Sequence, residues 1–83
     1  MRVVAELPHR LCKITIFSMN QKFIIKLEKG IYEQTYKLSE KDLTDGVNDV
    51  FKMLDDQFLE KASTRFDEMR SDFNNAFIRF ESL

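Results

Sequence analysis

Over residues 3–38 apolar side chains alternate with polar ones, and over residues 47–83 they recur at every third or fourth position. The first period is that of half-buried strands; the second is that of an amphipathic helix. The rhythm changes once, near Ser39. This predicts one α+β domain over residues 1–83: a four-stranded antiparallel meander over 1–38, packed on one face by a C-terminal helical layer over 39–83.

Two turn signals set the expected register. Asn20-Gln21 and Lys29-Gly30 separate three strand-like runs, and both are read as two-residue hairpin loops. The first loop places Phe17 opposite Ile24, Ile16 opposite Ile25, Thr15 opposite Lys26 and Lys13 opposite Glu28. The second places Leu27 opposite Tyr32, Lys26 opposite Glu33, Ile24 opposite Thr35 and Phe23 opposite Tyr36. A one-residue slip would turn every side chain over, so these registers define a core face of Ile14, Ile16, Phe23, Ile25, Leu27, Tyr32, Tyr36 and Leu38. An opening strand at residues 2–7 adds Val3, Ala5 and Leu7 to that face and sets Glu6 opposite Lys13.

The other face carries Lys13, Thr15, Phe17, Lys22, Ile24, Lys26, Glu28, Glu33, Thr35 and Lys37, with Arg2, Val4 and Glu6 from the first strand. Two readings stay open for it. One is a solvated face stabilised by cross-strand ion pairs and aliphatic contacts. The other is a binding face, with Phe17 and Ile24 as an apolar centre among Lys22, Lys26 and Lys37.

In the second half, Ser39 and Asp42 have the spacing of a capping box, and Thr44-Asp45-Gly46 is a turn sequence. A helical turn is expected at 39–45 and helix from about residue 47. The stripe runs Val47, Phe51, Leu54, Phe58, Ala62, Phe66, Met69, Phe73, Ala76 or Phe77, Phe80, Leu83. Successive steps of four from Leu54 to Phe66 make it drift against a 3.6-residue turn. A bend or break is therefore expected within 56–64, with Ser63-Thr64 as its place; from Ala62 the stripe is a regular four-three alternation. Residues 62–83 as helix extend roughly 33 Å, whereas a seven-residue strand extends about 23 Å. Phe77, Phe80 and Leu83 are thus expected to overhang the sheet, as a homodimer contact or a wrap around a sheet edge, unless the helix lies diagonally.

Charge changes the picture less than its distribution suggests. Residues 1–38 carry seven Lys/Arg and three Glu, residues 39–83 six Lys/Arg and eleven Asp/Glu, for a net charge of −1. The expected pairs of Lys13 with Glu28 and Lys26 with Glu33 leave Arg2, Lys22 and Lys37 on the outer face, plus Arg10 in the loop, a thin set for phosphate-driven affinity. Single-stranded nucleic-acid binding through Phe17, Lys22, Lys26 and Lys37 is the alternative to a self-associating protein-interaction module.

Candidate chemistry is sparse. A single cysteine, Cys12, forbids an intrachain disulfide, and one histidine, His9, forbids a His-rich metal cage. His9 and Cys12 make an H-x-x-C with no second pair to complete a metal site, and the register points Cys12 coreward, where a free thiol is packing. Carboxylates such as Asp55-Asp56, Glu60 and Asp67-Glu68 alternate with Lys52, Lys61, Arg65 and Arg70, as on a solvated helix. No phosphate loop or nucleophile elbow occurs. Neither catalytic residues, a metal nor a cofactor is expected. No apolar run reaches a membrane span, the N-terminus reads as a strand rather than a signal peptide, and a cytoplasmic location is expected.

The segment PHRLCKITIF, within residues 6–38, resembles a family of small bacterial proteins of unknown function that share P-H-x-x-C-K-I-T-I-F. That resemblance implies a small bacterial cytoplasmic protein and no activity. Four strands followed by a helix is also similar in outline to the PUR repeat, which binds single-stranded DNA or RNA; that similarity is one of topology.

Overall fold

In the computed structural model, which describes residues 1–83, the strands are β1 (Arg2–Pro8), β2 (Lys13–Met19), β3 (Lys22–Lys29) and β4 (Tyr32–Ser39). They form one antiparallel sheet in chain order. A 3₁₀ turn (Glu40–Asp42) leads to helices α1 (Val47–Met53) and α2 (Asp56–Glu81). Ser39 caps that 3₁₀ turn by accepting from the Lys41 amide rather than from Asp42.

The β2–β3 hairpin has the expected register, with Phe17 opposite Ile24 and Lys13 opposite Glu28. Asn20 and Gln21 have φ of 51° and 62°, the double left-handed pair of a type I′ loop. The β3–β4 register differs by two residues: Leu27 faces Gln34, Lys26 faces Thr35, Ile25 faces Tyr36, Ile24 faces Lys37 and Phe23 faces Leu38. The loop is Gly30-Ile31, not Lys29-Gly30. Gly30 alone takes a positive φ, 62°, and glycine at the first loop position is the type II′ preference. A shift of two leaves every side chain on its expected face.

β1 departs from expectation in a way that matters. Pro8 pairs with Lys13, which displaces the expected register by two and sets Glu6 opposite Thr15 instead of Lys13; further along, the register jumps between Val3 and Ala5. This bulge turns Val4 onto the core and carries Val3 to the outer face opposite Phe17. Arg2 lies opposite Ser18, off the outer face where it was expected.

The core lies between the sheet and the helices. Ile14, Ile16, Phe23, Ile25 and Leu27 meet Val50 from α1 and Leu59, Ala62 and Phe66 from α2, with Tyr32, Tyr36 and Leu38 packed at the rim. In α1 it is Val50, not Phe51, that is buried. The helical layer breaks at Leu54-Asp55, ahead of 56–64, and Ser63-Thr64 lies inside a continuous α2. Asp55 makes the break useful by accepting from the Phe58 amide at 2.9 Å, which satisfies one of the free donors of the new helix.

One buried polar residue ties the layers together. Gln34 shares the core face with Tyr32 and Tyr36, and its Nε2 donates to the Ala62 carbonyl at 2.8 Å. Its Oε1 accepts from Tyr36 Oη at 2.7 Å and from Arg65 Nε at 3.1 Å. Phe58 closes the group, edge-on to Tyr36 and beneath the Arg65 guanidinium. The Gln34→Ala substitution removes the buried bond to the Ala62 carbonyl and leaves the half-buried Tyr36 hydroxyl and Arg65 without their acceptor, and should lower stability by about 1–3 kcal/mol in urea denaturation. A change within error would remove Gln34 as the clamp.

At the start of α1, Asp49 Oδ2 accepts from the Thr44 and Asp45 amides, both at 2.9 Å. The Asp45 amide and then the Thr44 amide hold its pKa below the usual 3.8. A depressed carboxyl pKa contributes stability that is present above the unfolded value and lost as pH falls through the folded one. The Thr44 and Asp45 amide resonances should therefore titrate with a midpoint below 3.8, and the transition should vanish in Asp49→Asn.

Candidate functional site

Three places hold the side chains singled out by sequence. The first is the outer sheet face. Val3, Phe17 and Ile24 form a row across β1, β2 and β3, continued by Lys37 on β4. Although no helix covers this face, Ile24 is only 8% exposed and Phe17 is half-buried. The register surrounds Ile24 with Phe17, Lys37, Lys22 and Lys26, whose aliphatic stems can lie over apolar neighbours while their ammonium groups stay in water. Lys26 bonds Glu33 at 3.2 Å, diagonally rather than across. Lys13 and Glu28 are register partners yet make no ion pair, so that expected neutralisation is absent and Lys13 joins Lys22 and Lys37 as an unpaired cation.

The second place is the loop between β1 and β2. His9 Nδ1 accepts from the Leu11 amide at 3.1 Å, which fixes the ring in the loop. His9 Nε2 lies 4.0 Å from Asp56 and Arg10 lies 3.7 Å from Glu60, so the loop sits over the first turns of α2. Cys12 is buried, and burial pushes its thiol pKa up, with Lys29 partly opposing. A raised pKa and lack of access are the opposite of what a nucleophilic cysteine needs. No group of three or more His, Cys, Asp or Glu is arranged to hold a metal ion.

The third place is the free half of α2. The four-three alternation places Leu59, Phe66, Phe73 and Phe80 seven apart, and Ala62, Met69, Ala76 and Leu83 likewise. Together these make a continuous seam. The sheet covers its first half: Leu59, Ala62 and Phe66 are buried and Met69 half-buried. Beyond Arg70 every residue is exposed. Phe73 is 61% exposed, Phe77 55% and Phe80 65%, and Leu83 is fully open. Tyr32 is the last sheet residue on the seam, edge-on to Phe73 at 6.5 Å. Met69, Asp72, Phe73 and Ala76 frame an open hollow of about 440 Å³ with Tyr32 on its wall.

Phe77, Phe80 and Leu83 thus stand where strand and helix lengths require. Phe73 lies beyond the sheet as well, which strand and helix lengths alone do not reveal, because they leave open where along the helix the sheet ends. The same end of the molecule also exposes Ile31 in the β3–β4 loop. No helix is long and apolar enough to cross a membrane.

No family model matches the chain, and neither a curated protein nor a solved structure is significantly similar to it.

The buried thiol gives a direct test of the loop. Native Cys12 should react with a thiol reagent at least about tenfold more slowly than in the urea-unfolded chain at neutral pH. Equal rates would show an accessible, reactive cysteine.

Proposed function

We propose that this protein is a small non-enzymatic interaction module that associates with a second copy of itself through the free half of α2. The observation that carries this reading is the row of exposed Phe73, Phe77 and Phe80 beyond the end of the sheet. Contiguous exposed aromatic surface of this kind is a mark of an interaction site. Each ring buries on the order of 150–250 Å² in full and has a little over half of it free, so the six rings of two copies supply about 700 Å² and the neighbouring seam residues bring the interface to a modest size of about 1,000 Å². That size fits a dimer of micromolar strength better than an obligate one.

The outer sheet face supports single-stranded nucleic-acid binding less well. Phe17 is half-buried, Ile24 is covered and Lys26 is engaged by Glu33, so the stacking platform such binding uses is small.

Sedimentation equilibrium at micromolar concentration is the test, with a monomer–dimer equilibrium as the expected result. The Phe77→Ala/Phe80→Ala variant should raise the dissociation constant at least about thirtyfold, as loss of an interfacial aromatic anchor does. Its monomer should unfold in urea as the parent monomer does. A parent chain that stays monomeric at about 100 µM, a concentration that populates any dimer of micromolar strength, overturns the reading. So does a double variant that loses stability independently of concentration.

A further inference from the structure

We infer that the two copies pair antiparallel along α2, about a twofold axis midway between Phe73 and Ala76. The inference rests on the self-association reading above and gives it an orientation and a register.

The hollow lies between Tyr32 at the end of the sheet and four residues of α2, Met69, Asp72, Phe73 and Ala76, at positions i, i+3, i+4 and i+7. That is the four-residue hole into which a facing helix inserts a side chain. A second helix is therefore the occupant the surface is shaped for, and the free seam of the same chain has the matching repeat.

Side-chain size then selects direction. About the twofold axis Phe73 opposes Ala76 of the second copy, and Phe80 opposes its Met69, so each layer joins a ring to a smaller or more pliable side chain. The Phe80 layer lies at the level of Tyr32 of the second copy, where its sheet ends, and Leu83 beyond it reaches the level of the second copy's Phe66. A parallel pair would instead set Phe73 on Phe73 and Ala76 on Ala76. It would also bring the two sheets to the same level, since each covers the seam of its own helix from Leu59 to Phe66.

Charge selects the same arrangement. Asp72 and Arg79 flank the seam on one side, Arg70 and Phe77 on the other. Neither Asp72 nor Arg79 has an ion-pair partner within the chain. In the antiparallel register Asp72 of each copy meets Arg79 of the other, twice by symmetry, and Arg70 lies over Phe77 of the second copy. In a parallel pair Arg65 would face Arg70 of the second copy, and like charges across a seam oppose association.

The test uses two single charge reversals. Both sites are exposed on the free part of α2, so neither variant should disturb the fold. Asp72→Arg places Arg opposite Arg, and Arg79→Asp places Asp opposite Asp. Each alone should weaken self-association about tenfold at roughly 50 mM salt, where surface charges are least screened. Mixed in equal amounts, the two variants should form a heterodimer with the affinity of the parent, because every flanking pair is again Arg with Asp. A parent dimer that neither variant weakens, or a loss that mixing does not restore, overturns the antiparallel register while leaving self-association in place. A monomeric parent overturns both.

Discussion

An α-helix rises about 1.5 Å per residue and a strand about 3.3 Å, and those two numbers govern what this fold can cover. Strands of seven or eight residues offer a surface of about 26 Å to a helix of 26 residues, which is about 39 Å long. The sheet therefore satisfies the apolar seam as far as Phe66 and Met69 and no further. The molecule's longest dimension, 52 Å against 26 and 20 Å across, reflects that mismatch. Everything distinctive about the molecule lies on one side or the other of that boundary: a closed core behind it, an uncovered row of phenylalanines ahead of it.

The boundary holds its position because the helix cannot slide. Apolar packing between Leu59, Ala62, Phe66 and the sheet is tolerant of small displacements. The Gln34 amide is not, since it binds one backbone carbonyl, Ala62, and one guanidinium, Arg65. A buried polar group keeps its partners or loses the full cost of having been desolvated. That single residue converts a greasy contact into a defined register of helix on sheet. It thereby determines which phenylalanines end up inside and which outside.

Much of this could be read from the residues alone, and the exceptions have identifiable causes. Side-chain parity predicted the faces of β2, β3 and β4 even though the β3–β4 pairing was displaced, because a shift of two residues preserves parity. The bulge at Val4 was invisible: no glycine or proline marks it, and Arg2, Val3 and Val4 fit either face by composition. The drift of the stripe points to a helix break around Ser63-Thr64, but a continuous helix absorbs that drift when its neighbours are small, as Ala62 is. The actual break used Asp55 as a cap, a role hidden by its neighbour Asp56 and by the general acidity of the segment. Gln34 had a usable signal, a polar residue at a core-parity position between two tyrosines. At the candidate interface, element lengths place Phe77, Phe80 and Leu83 beyond the sheet, and only the start of β4 at Tyr32 adds Phe73.

An open sheet has two unpaired borders, and each is a template onto which another strand could add. The bulge at Val4 interrupts the hydrogen-bonding line of the β1 border, which ends at Pro8, a residue with no amide to donate. The β4 border carries the exposed Glu33 and Lys37. An added strand therefore meets no continuous hydrogen-bonding line on β1 and meets charged side chains on β4, so the sheet is closed to edge-on growth even though it has two free borders.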